Sequence, residues 1–167
     1  MYLPFESLPG HSRVWIYQSN RKFTPTEKVE IDAGLEMLCK QWAAHGTPLH
    51  TSFTIAFDQF VIMVVDEQQH GASGCSIDGS VRYLKSLQAN VGLDFFDRTL
   101  VPFIINNKVD VYPVSELKNL FENQTLTATS ITLNNLVETK ADLALNWQVQ
   151  VKDSWLSNYL PKIAVEG

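Results

Sequence analysis

The sequence is poor in cysteine, in positive charge and in long apolar runs. Among its 167 residues, two cysteines are too few for a disulfide framework or a structural zinc site. Lys and Arg number 13 against 18 Asp and Glu, a net charge of -5, which argues against a nucleic-acid binder with a phosphate-neutralising basic face. The longest apolar run, Phe60 to Val65, is far shorter than the roughly 20 residues of a membrane-spanning helix. We therefore expect no nucleic-acid partner and no membrane insertion.

Several catalytic motifs are also absent. The sequence has no Gly-x-x-x-x-Gly-Lys-Ser/Thr phosphate loop, no His-Glu-x-x-His, no Gly-x-Ser-x-Gly and no Cys-x-x-Cys. Its N-terminus has neither the positive region nor the apolar region of a signal peptide. We therefore predict a cytoplasmic protein without a cofactor or a metal, with its cysteines as reduced thiols. The residues do not decide the oligomeric state.

Hydrophobic patterning predicts strands and helices in alternation. The predicted strands are 14–17, 51–57, 60–65, 99–105 and 108–112, and the predicted helices are 24–46 and 76–90. The first helix opens with a capping box, Thr24-Pro25-Thr26-Glu27, and His45-Gly46 is expected to close it. Asp58-Gln59 and Asn106-Asn107 are the expected hairpin turns.

The order of these elements predicts the fold. Strand, helix, strand, strand, helix and strand is the split βαβ pattern, so we predict an α+β, ferredoxin-like βαββαβ antiparallel sheet with two helices on one face. This core would span residues 13–105. Residues 106–167 would add a hairpin strand and a C-terminal extension of helical and irregular structure. No linker interrupts the pattern, so 1–167 is predicted to be a single domain.

That topology gathers polar residues where the third strand ends and the second helix begins. The segment 70–80 carries three glycines and three serines at the start of the helix. Free amides at a helix N-terminus attract anions. We interpret the segment as the binding site of a small ligand or anion. The predicted ligand-binding residues are Ser73, Gly74, Cys75, Ser76 and Asp78.

Two other functions fit the same residues. A helix N-terminus also lowers the pKa of a thiol, so Cys75 could act as the nucleophile of a thiol-dependent enzyme. Its base would be His45 or His50, oriented by Asp66 or Glu67. The third possibility is a protein-interaction module without a pocket. Against all three stands a structural interpretation, in which glycine and serine form an ordinary loop and cap and the cysteine is packed.

Four segments of the sequence resemble a family of small, uncharacterised bacterial proteins. They are Trp15 to Arg21, Gln41 to Gly46, Val65 to Glu67, and Ser73-Gly74-Cys75-Ser76-Ile77-Asp78. Members of that family are often labelled automatically as ABC-transporter ATPases. The resemblance implies a bacterial protein and no particular catalytic residue. A transporter ATPase requires a phosphate loop, which this sequence lacks, so the label does not fit it.

Overall fold

The computed structural model describes residues 1–44, 46–68 and 74–162. The chain forms two units. One comprises 1–97 and 135–145, and the other comprises 98–134 and 146–167. Each unit has its own antiparallel sheet and its own buried apolar cluster. The predicted α+β class is therefore confirmed. Two compact units can fold together as one domain or separately. The prediction that 1–167 is a single domain therefore stays a prediction.

The first unit contains five strands and two long helices among its described residues. They are β1 (Arg13–Gln18), α1 (Pro25–Gln41), β2 (Ala43–Ala44), β3 (Thr47–Pro48), β4 (His50–Ala56), β5 (Phe60–Asp66) and α2 (Gly74–Val91). The main sheet has the order β1-β5-β4, antiparallel throughout, and β2 pairs with β3. This is the order that the split βαβ pattern predicts for the first three strands of the core.

The two helices cover one face of this sheet, which we call the helical face. The Thr51 hydroxyl of β4 donates to the Cys39 carbonyl of α1 at 2.9 Å. The Tyr17 hydroxyl of β1 lies 3.3 Å from that of Ser80 on α2. Alternate residues of β5, with Val65 as the last, point into the cluster that α1 and α2 line. The other residues of β5 therefore point to the opposite face; they are Phe60, Ile62, Val64 and Asp66.

The ferredoxin-like topology is not confirmed. The remaining elements are β6 (Leu100–Ile105), β7 (Lys108–Pro113), α3 (Leu117–Glu122), β8 (Ile131–Leu133), α4 (Lys140–Asn146) and β9 (Gln148–Gln150). The strand expected to complete the first sheet, β6, instead lies in a second sheet of order β7-β6-β8-β9. The outer edge of β1 bonds to another segment, since the Val14 amide donates to the Glu138 carbonyl at 2.9 Å. The predicted boundaries of the core, 13–105, therefore combine strands from two sheets.

One expected hairpin turn is confirmed and the other is shifted by one residue. Asn106 and Asn107 both have positive φ, 51° and 61°, as a two-residue turn between β6 and β7 requires. Between β4 and β5 the positive values fall on Phe57 and Asp58 rather than on Asp58 and Gln59. Asp58 is fixed there by the Lys28 ammonium, 2.6 Å from its carboxylate.

The first helix begins as predicted and ends earlier. Thr24 and Glu27 form the capping box, with Pro25 as the first helical residue. The helix ends at Gln41 because Trp42 is already extended and leads into β2. Gly46 has a positive φ of 80°, but it lies between β2 and β3 and not at the end of the helix.

Gly34 lets the two helices approach each other. A β-carbon on Gly34 would lie 1.9 Å from the Tyr83 hydroxyl oxygen of α2. That hydroxyl also donates to the Glu30 carbonyl at 3.4 Å. The missing side chain therefore makes room for a tyrosine of the neighbouring helix.

We predict that Gly34→Ala destabilises the protein by up to about 2 kcal/mol, because moving Tyr83 from its place against α1 costs about 1–3 kcal/mol and alanine returns about 0.5–1 kcal/mol in the helix. Gly79→Ala is the matched control, since its β-carbon would meet Leu38 at an ordinary 3.8 Å. That change should stabilise α2 by about 0.5–1 kcal/mol. Urea unfolding measures both. Equal effects of the two substitutions would show that the Gly34–Tyr83 approach carries no energy.

Arg21 joins the start of α1 to the end of α2. Its guanidinium donates to both Glu27 carboxylate oxygens, at 2.8 and 2.9 Å, and to the Val91 carbonyl at 2.8 Å. The same carboxylate accepts from the Thr24 amide at 2.8 Å. The hydrogen bond from Arg21, reinforced by the one from Thr24, lowers the pKa of Glu27 from 4.5 to about 2.

A lowered carboxyl pKa stabilises the folded state above the unfolded pKa, and this stabilisation is lost as pH falls. We therefore expect the Glu27 contribution to be complete above about pH 4.5 and to vanish toward pH 2. Glu27→Gln should unfold at lower urea concentration at pH 7, and its stability should approach that of the wild type near pH 2. Glu30→Gln, an exposed change on the same helix, is the control. A constant difference between Glu27→Gln and wild type from pH 7 to 2 would contradict the assignment.

Candidate functional site

The N-terminus of α2 lies at the Arg13 end of β1. Two contacts fix the direction of the helix: Val91 accepts from Arg21, just beyond β1, and Ser80 meets Tyr17 within it. The helix axis thus runs along β1, with its first turn toward Arg13. The helix is 18 residues long and has no acidic residue in its first turn. Its N-terminal amides and dipole are therefore not neutralised by an acidic side chain of that turn.

Arg13 provides a positive charge at this end of the sheet. It alternates with Trp15 and Tyr17 on the helical face, and its guanidinium carbon lies 5.1 Å from the Trp15 ring centroid. The Arg13 residue is exposed. Among the described residues, no carboxylate lies within ion-pair distance of it. The N–H groups of the Arg13 guanidinium can therefore donate to another acceptor.

Trp42 adds a buried donor without an acceptor. Its ring lies 6.2 Å from that of Trp15, centroid to centroid, and the residue is 4% exposed. Within the described part of the chain, its Nε1 has no hydrogen-bond partner. An indole nitrogen only donates, so only an acceptor can satisfy it. A buried unsatisfied donor costs about 1–3 kcal/mol, which makes this position a natural one for an acceptor group.

His50 and Asp66, both predicted to belong to the site, lie side by side on the opposite face. They are direct partners in the β4–β5 ladder. Asp66 Oδ1 lies 3.1 Å from His11 Nε2 and accepts from the Gln68 amide at 3.1 Å. Strand alternation directs His50 and Asp66 away from the face that α2 covers. His11 comes from the irregular segment before β1, where no periodicity in the sequence indicated a role.

The other predicted residues are only partly described. His45 and Ser73 lie outside the described residues, and for Gly74, Cys75 and Ser76 only the backbone at the start of α2 is described. Glu67 follows β5 and is half-buried. Asp78 is exposed on α2. The structure thus brings His50 and Asp66 together. The pairing of Cys75 with a histidine stays a prediction. Strand alternation argues against His50 as that histidine, because it directs His50 away from the face that α2 covers.

The residues that sequence reasoning missed are Arg13 and Trp42. Trp15 was predicted only as a residue of the first strand. Its spacing of two from Arg13 within a strand was the available signal, because such residues share a face. Nothing in the sequence placed Trp42 beside them, since the helix was expected to continue through it.

The described residues show neither a metal-binding cluster nor a membrane-spanning helix. In 1–44, 46–68 and 74–162, no three or more His, Cys, Asp or Glu side chains are arranged to hold a metal ion. Over the same ranges, no helix combines the length and the apolar character needed to cross a membrane.

Comparison with known proteins found no matching family model, no matching curated protein and no matching solved structure. The function is therefore inferred from the chemistry of the residues themselves.

Cys39, the other thiol, is inaccessible. It is 0% exposed on α1, and burial raises its pKa to about 11. We expect iodoacetamide at pH 7.5 to leave Cys39 unmodified in the native protein and to modify it after unfolding in urea. Peptide mass spectrometry measures this for each cysteine separately. Modification of Cys39 at the same rate in both states would contradict its burial.

Proposed function

We propose that this chain is a binding domain for a small anionic ligand, held where loop 70–80 leads into α2. The observation that carries the proposal is Arg13, an exposed guanidinium stacked on Trp15 at the N-terminal end of α2, with no carboxylate partner among the described residues. Ser73, Gly74, Cys75, Ser76 and Asp78 are the proposed ligand-binding residues of the loop and first turns.

The chemistry of an anion fits both parts of this arrangement. Backbone amides at a helix N-terminus point outward and carry a partial positive charge. A guanidinium offers a planar fork of donors that binds carboxylate or phosphate through two bonds. The overall charge of -5 does not oppose this, because the donors act locally.

The thiol-dependent alternative uses the same helix end. The backbone of Cys75 lies in the first turn of an 18-residue helix, a position that lowers a thiol pKa. Because Cys39 is buried, native labelling would report Cys75 alone. Rapid labelling of Cys75 with an apparent pKa well below 8.5 would favour thiol chemistry, and slow labelling with an ordinary pKa would favour ligand binding.

The cytoplasmic location and the resemblance to the bacterial family stay predictions.

We expect small anions to stabilise the native protein. At ten times its Kd, a bound ligand adds about 1.4 kcal/mol, which raises the Tm of a chain of this size by roughly 3–6 °C. The measurement is a thermal-shift titration with acetate, benzoate, sulfate and inorganic phosphate, with sodium chloride at matched ionic strength as the baseline.

Arg13→Gln removes the guanidinium and should abolish the shift. Arg98→Gln, an exposed arginine in the second unit, is the matched control and should retain it. Shifts no larger than those with chloride for all four anions would overturn the proposal, as would equal shifts in wild type and Arg13→Gln.

A further inference from the structure

We infer that the ligand is a monoanionic carboxylate carrying an apolar group, bound through its carboxylate to Arg13 and to the first turn of α2. This inference rests on the proposed function and specifies its ligand class. Three features of the helical face carry it: the amount of positive charge, the geometry of the donors and the aromatic surface beside them.

The positive charge at this site matches one negative charge rather than two. Arg13 contributes one full charge, and the N-terminus of an α-helix contributes the equivalent of about half a charge. Asp78 lies on α2 just beyond the first turn, and Glu67 follows β5 at the same end of the sheet. Their carboxylates oppose a dianion more strongly than a monoanion. Phosphate at pH 7.5 is largely a dianion, whereas a carboxylate carries a single charge.

The described donors are suited to a planar acceptor. The Arg13 guanidinium, held over Trp15, presents a planar fork that matches the two oxygens of a carboxylate. The Trp42 indole nitrogen is a second, independent feature, since it is buried and has no acceptor in the described part of the chain. Its ring neighbours that of Trp15, on which the Arg13 guanidinium is stacked. A carboxylate oxygen has lone pairs for both donors.

An apolar wall accompanies the donors. Trp15 and Ile77 are half-buried and pack against the core that contains Trp42. Ile77 belongs to the first turn of α2, so the wall and the helix amides meet at the same place. Ligand sites generally combine such apolar surface with a few placed polar groups. Inorganic phosphate would leave this surface without a partner, while an aromatic or branched carboxylic acid would cover it.

The experiment compares benzoate, acetate and inorganic phosphate at equal ionic strength and pH 7.5, using the full chain. Binding is followed in ¹H–¹⁵N spectra, in which each of the four tryptophans gives one indole signal. Trp42→Phe assigns the Trp42 signal. Should that variant fail to fold, the single substitutions of the other three tryptophans assign it by elimination.

We expect benzoate to bind at least about tenfold more tightly than acetate and than phosphate, and to move the Trp42 indole signal. Arg13→Lys keeps the charge but loses the fork, so it should weaken benzoate binding by at least about fivefold. Arg98→Gln should leave benzoate binding unchanged.

The outcomes separate the two proposals. Tighter binding of phosphate than of benzoate would overturn the carboxylate inference and leave the anion-binding function standing. Benzoate binding that leaves the Trp42 signal in place, or that is unaffected by Arg13→Lys, would also overturn the inference. Failure of benzoate, acetate and phosphate all to bind would overturn the inference, and failure of sulfate as well would overturn both proposals.

Discussion

Arg21 bonds the two helices of the first unit to each other at one end of its sheet. One guanidinium bonds the carboxylate that caps α1 and a carbonyl at the end of α2. The Val91 carbonyl belongs to the last turn of α2, where backbone carbonyls lack intrahelical partners, so the side chain satisfies that end while it also binds the capping carboxylate of α1. The C-terminal end of α2 lies beside the end of β1, and the helix runs along that strand. The N-terminal end of α2 therefore lies beside the beginning of β1. The position of the candidate site thus follows from a contact a whole helix length away.

The central strand β5 divides the polar residues of the first unit between two surfaces. Each of its neighbours is antiparallel to it, and every side chain follows the same alternation. Arg13 and Trp15 share the helical face, whereas His50 and Asp66 occupy the opposite one. A shift of one residue in register would exchange these sets.

Local features of this fold were predictable from sequence, and long-range ones were not. The capping box at Thr24 and the Asn106-Asn107 turn depend on a few adjacent residues, and both are confirmed. The order of the first three strands followed from element order alone. The destination of β6 could not be predicted, because the edge of β1 is bonded by the chain near Glu138, in a segment whose pattern indicates no strand. The prediction grouped the candidate site residues by where strands end, so it did not distinguish the two faces of the sheet.

The proposed anion site combines one feature of the sequence with two features of the structure. Glycine and serine at the start of α2 indicated exposed amides, and the structure adds a guanidinium and an indole donor, both without acceptors among the described residues. Donors of this kind do not satisfy one another, because each lacks a lone pair on the nitrogen that donates. A cluster of donors beside a helix N-terminus is stabilised by an acceptor, and the strongest acceptors in water near neutral pH are anions. The acidic composition of the chain is compatible with the proposed anion site, because the proposed donors act locally.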